Sequence, residues 1–109
     1  MRFLLSVVDT QVRSPHSPEE IAAIDAFNEK LVAANQRRLA IGLESPKDAV
    51  VVDARGGQIS SKPGPLVDSN EFAAGIWIIE VDSKEQALEL AVEGSKACNR
   101  KIELRPIIG

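Results

Sequence analysis

Residues 76–94 read IWIIEVDSKEQALELAVEG, and the way this stretch divides decides the fold. Ile76–Val81 is short, apolar and rich in β-branched residues, which is the pattern of a buried strand. Asp82 or Ser83 then offers a helix cap, with Glu85 or Gln86 placed to answer it. Ala87, Leu88, Ala91 and Val92 recur at helical spacing as a buried stripe, and Gly94 reads as the stop. A strand feeding straight into an amphipathic helix is one part of a split β-α-β arrangement, so the rest of the chain must supply its counterpart.

The first half does so. Phe3–Val8 is a second apolar strand, followed by a polar passage, Asp9–Ser17, that holds Pro15 and His16. Ser17-Pro18-Glu19-Glu20 is a helix start: Ser17 caps, Pro18 suits the first helical position, and Glu20 completes a capping box. Ile21, Ile24, Phe27 and Leu31 continue at helical spacing, predicting a helix from Pro18 to about Arg37 or Arg38. Gly42–Lys47 breaks the pattern. Ala49–Arg55 reads as the next strand, Gly56-Gly57 as a two-residue hairpin turn, Gln58–Ser61 as its return arm and Lys101–Arg105 as the last strand.

The order is β-α-β-β-α-β with an extra hairpin. It predicts a ferredoxin-like α+β sandwich, with two parallel central strands and both helices on one face of the sheet. Alternation then assigns Phe3, Leu5, Val7, Val50, Val52, Trp77, Ile79, Val81, Ile102 and Leu104 to the side beneath the helices. The opposite face receives Leu4, Ser6, Val8, Val51, Asp53, Arg55, Ile76, Ile78, Glu80, Glu103 and Arg105. That face is half apolar with no helix left to cover it, which points to a second subunit and a homodimeric barrel.

Composition narrows the function. A chain of 109 residues, 44% hydrophobic and 27% charged, has the content of one globular domain spanning residues 1–109. A net charge of −3 argues against a general nucleic-acid binder, which needs a basic surface. Cys98 is the sole cysteine, so there is neither an intrachain disulfide nor a cysteine-based metal site. The apolar run Phe3–Val8 is too short for a signal peptide core and is closed by Asp9. These features predict a cytoplasmic protein with no membrane partner, no nucleic-acid partner, no metal and no cofactor.

GIWIIEVDSKEQALELA (75–91) followed by KIELRPI (101–107) resembles the YCII-related proteins, especially the branch named for a DGPF motif. AVVVDARGGQIS (49–60) and the Ser-Pro-Glu-Glu helix start also fall where such proteins have theirs. The resemblance implies a dimeric α+β barrel holding a small-molecule site, and a cofactor-independent isomerase, lyase or hydrolase acting on a small organic compound. In this chain Pro63-Gly64-Pro65-Leu66 stands at the motif, with Pro63 in place of the acid that the family is proposed to use in proton transfer. A proline cannot transfer a proton. The alternative is therefore a non-catalytic ligand-binding, regulatory or assembly module, including one linked to transcriptional control without DNA contact.

Three residues are candidates for proton transfer: His16, Asp68 and Glu80. Histidine is the residue type whose ordinary pKa lies near neutrality, yet beside a helix cap it is equally suited to being an exposed surface residue. Ser6, Asp53, Arg55, Glu71, Glu103 and Arg105 are candidates for lining a ligand cleft, or else for cross-strand ion pairs. Trp77 reads as core, and Cys98, without a histidine near it in sequence, as no nucleophile. Leu66, Val67 and Phe72 should anchor the proline-rich loop against the barrel rim or a partner subunit.

Overall fold

The computed structural model describes residues 1–12 and 15–109; Arg13 and Ser14, part of the polar passage, lie outside the described residues. The main sheet holds β1 (Arg2–Thr10), β2 (Arg37–Gly42), β5 (Glu71–Glu80) and β6 (Lys101–Pro106) in the order β2-β5-β1-β6. Helices α1 (Pro18–Ala33) and α2 (Lys84–Cys98) complete the ferredoxin-like order. A separate two-stranded ribbon, β3 (Val50–Asp53) with β4 (Ser60–Pro63), is inserted between β2 and β5. The central strands β1 and β5 run antiparallel, as do all the pairs of the sheet, which corrects the expected parallel pair. Each helix instead joins strands that are parallel but separated by a third strand between them.

Both helix starts form as the sequence predicts. Ser17 Oγ accepts the Glu20 N–H (3.1 Å) while Glu20 Oε1 accepts the Ser17 N–H (3.0 Å), a full capping box. Ser83 Oγ accepts the Gln86 N–H at 3.2 Å, and the Gln86 side chain accepts the Asp82 N–H at 3.0 Å.

The helix ends differ from expectation. α1 stops at Ala33 because Asn35 adopts φ 56°, and the N–H groups of Asn35 and Gln36 turn back to Val32 and Leu31 carbonyls. This is a Schellman closure with asparagine in place of the commoner glycine. Arg37 and Arg38 therefore open β2 rather than closing the helix. α2 runs through Gly94 to Cys98 and closes on Asn99 at φ 53°. Gly94 is not a stop. A Cβ there would stand 3.3 Å from the Phe27 ring and 3.1 Å from Ile102 Cδ1, so its lack of a side chain lets the helices approach each other.

The core lies between this sheet and the helices: Phe3, Leu5, Trp77, Ile79 and Val81 from the strands meet Phe27, Leu31, Ala87, Leu90 and Ala91. Phe27 and Trp77 pack edge to face with centroids 5.1 Å apart. The assigned inward set holds for β1, β5 and β6, with Val7, Ile102 and Leu104 packed at the margin.

It fails for Val50 and Val52, which are exposed on the ribbon. The second strand of the sheet is Arg37–Gly42, and the stretch read as that strand pairs only with its own return arm. The ribbon turn is also longer than two residues, since pairing stops at Asp53 and Ser60, although Gly56 and Gly57 do take φ 71° and 82°. Leu66 and Val67 are exposed and not anchored against the chain's own sheet.

Candidate functional site

A cleft of about 400 Å³ opens between the N-terminal part of α1 and the sheet where β1 approaches its end. Its walls are mostly apolar or small: Val7, Ile24, Ala40, Ala74, Gly75, Trp77 and Cys98 among them. Gly75 matters to its shape, because a Cβ there would meet the Ile41 carbonyl oxygen at 3.0 Å and push β2 away from β5. Asn28 holds the far wall, accepting the Trp77 indole N–H (2.9 Å) and donating to the Ile24 carbonyl (3.1 Å).

Polar groups enter the cleft from two sides. Asp9, the one buried charged residue among the described residues, sits at the next inward position after Phe3, Leu5 and Val7. Its carboxylate accepts the Thr10 N–H at 2.8 Å and faces Arg100 Nε at 3.3 Å. His16 comes from the loop before α1, with its Nδ1 3.3 Å from Glu20 Oε1. The Ser17 N–H is the main cause holding the Glu20 carboxyl below its usual range, followed by help from Asn99, His16 and Arg100. An ionised carboxylate only accepts, so its contact with Nδ1 places the ring proton there. With the proton on Nδ1, a neutral ring presents Nε2 as an acceptor, the arrangement of an oriented general base. Burial pushes the Cys98 thiol up, away from the nucleophilic thiolate.

A second, more open cavity of about 330 Å³ lies on the uncovered sheet face. Ser6, Glu71, Glu103 and Arg105 line it together with Leu4 and Val8. Its charges are partnered locally: Arg105 with Glu103 at 2.6 Å, and Lys101 with Glu71.

The remaining candidates do not converge. Asp53 and Arg55 pair bidentately with each other on the ribbon (3.0 and 2.8 Å), which holds the Asp53 carboxyl below its usual range, and they are not on the sheet. Glu80 lies opposite Arg2 at the other end of β1 from Asp9, about 23 Å away along the strand, engaged by the Met1 ammonium (2.9 Å) and Arg2 (3.3 Å). Asp68 is exposed in the loop before β5. Of the proton-transfer candidates, His16 borders the first cleft together with Asp9, Glu80 lines a separate polar hollow with Asn35, Gln36, Asp82 and Gln86, and Asp68 lines neither. Asp9 was missed because the apolar run was read as ending at Val8. Extending the inward alternation by one more step finds a carboxylate on the buried side.

Two helices on one face of an antiparallel sheet ordered β2-β5-β1-β6 define a ferredoxin-like α+β protein. The chain belongs to the YCII-related family, whose domain profile matches residues 1–108. No curated protein matches it. No helix among the described residues is long and apolar enough to cross a membrane.

Proposed function

We propose that the chain binds a small organic molecule in the cleft bounded by Asp9, His16 and Trp77, and that His16 exchanges a proton with it. The observation that carries this reading is the Ser17–Glu20–His16 chain: the helix cap pins Glu20, and Glu20 orients the imidazole at the cleft. Asp9, whose carboxylate faces Arg100, adds a further acceptor to the lining, suited to a hydroxyl or amine on the ligand. The volume suits a compact molecule, and the apolar walls favour a ring or short hydrocarbon body. The protein works as a cytoplasmic homodimer, joined through the open face of Leu4, Val8, Ile76 and Ile78. Should His16 exchange no proton, the same cleft serves a ligand-sensing module.

A second reading places the ligand on the open sheet face, between two copies; the grouping of Ser6, Glu71, Glu103 and Arg105 around one cavity favours it. A nuclear magnetic resonance screen with a panel of small monocyclic phenols, amines and acids separates the two. Binding in the first cleft moves the Gly75 amide and the Trp77 indole resonance, and His16→Ala weakens it. Shifts confined to Ser6 and Glu103 favour the second site, and no response from the panel contradicts both.

A further inference from the structure

The ribbon β3–β4 is turned inside out. Val50 and Val52 share one face with Pro63 and Ser61, while Val51 and Asp53 share the other with Lys62 and Ser60. A ribbon shielding its own core would bury the apolar face. Here Val50 and Val52 are 58% and 65% exposed, and Val51 and Asp53 are the half-buried pair. Ile59, Leu66 and Val67 in the flanking segments are exposed too, Ile59 by 80%. The ribbon makes no extensive contact with any other element, although two short strands are not stable alone in water. Its projection agrees with a radius of gyration of 16.0 Å, against roughly 13 Å for a compact chain of this size.

We propose that the ribbon is an arm that clasps a second copy of this chain. Its Val50–Val52 face lies on the β2 side of the partner's open sheet face, where Leu39, Ile41 and Leu43 are exposed. The area required supports a second copy as the occupant. With β2 kept for the partner's ribbon, β1, β5 and β6 at 9, 10 and 6 residues present a face of about 400 Å². A stable interface covers about 800 Å² on each partner, so sheet against sheet supplies only half. Five exposed ribbon and loop side chains, at about 60–100 Å² each, supply the remainder. Both surfaces belong to one chain, so a two-fold pair uses each of them twice.

The clasp rests on the proposed pairing of open faces, and sedimentation of three full-length proteins tells the two apart. The wild type should be dimeric at about 10 μM, and Val50→Asp with Val52→Asp should weaken the dimer by at least about 100-fold. Those side chains touch little within one chain, so the circular dichroism of the double variant should be that of the wild type. Ile78→Asp tests the sheet alone. If it dissociates the dimer while the double variant does not, the faces pair and the clasp is wrong. A wild type that stays monomeric at about 100 μM leaves the ribbon to some other partner and overturns both. Isotope-filtered contacts in a mixed labelled and unlabelled wild-type sample need no substitution. Cross-chain signals between Val52 and Ile41 methyls are expected, and a dimer lacking them contradicts the clasp.

Discussion

The main sheet and the ribbon are built from similar apolar residues, yet they satisfy them in opposite ways. On β1 and β5 the inward side chains Leu5 and Ile79 are wholly buried beneath two capped helices of the same chain. On β3 the alternation is just as regular, but Val50 and Val52 face outward and none of the described residues covers them. Alternation reports that a strand has two faces; it does not report who covers them. The sheet's stability is local to the chain, while the proposed clasp defers the ribbon's to an interface.

This contrast breaks first if the core proves soft. Leu31→Ala should cost about 2–5 kcal/mol in urea unfolding, because a fully buried leucine leaves a cavity. Gly94→Val should cost about 1–3 kcal/mol by forcing the helices apart, read by the same method. Ser17→Ala removes one side of the capping box and should cost about 1 kcal/mol.

Acid sharpens the same point. The Glu20 carboxyl is held below its ordinary range in the folded chain, so its contribution is complete above the ordinary carboxylate pKa and disappears as pH falls through the folded value. Glu20→Gln should flatten the acid limb of a stability–pH curve and leave the neutral limb its shape. At the small end, Val52→Ala measured well below the dimer concentration should change stability by less than about 0.5 kcal/mol. A larger loss would mean that the ribbon is held by its own chain.

Helix starts, the central strands and their inward residues were legible, because caps and alternation are local signals. β2 was not. Arg37 and Arg38 continue a helical stretch in composition, and the stop is the backbone turn at Asn35, a residue less distinctive than glycine. Ala49–Arg55 carries the stronger strand signal, yet its pairing is satisfied by its own return arm, so it never enters the sheet. Gly94 has the residue type of a stop, but tertiary contact with Phe27 explains it instead. Around the candidate cleft His16 was legible, while Asp9 and Arg100 depended on a strand longer than its apolar run and on where α2 ends.

Amide hydrogen exchange across a dilution series tests the contrast most directly. The account predicts that Leu5 and Ile79 amides exchange slowly at every concentration, while the paired amides of Val50–Asp53 are slow above the dimer dissociation constant and fast below it. Ribbon amides exchanging at one rate throughout the series would contradict it.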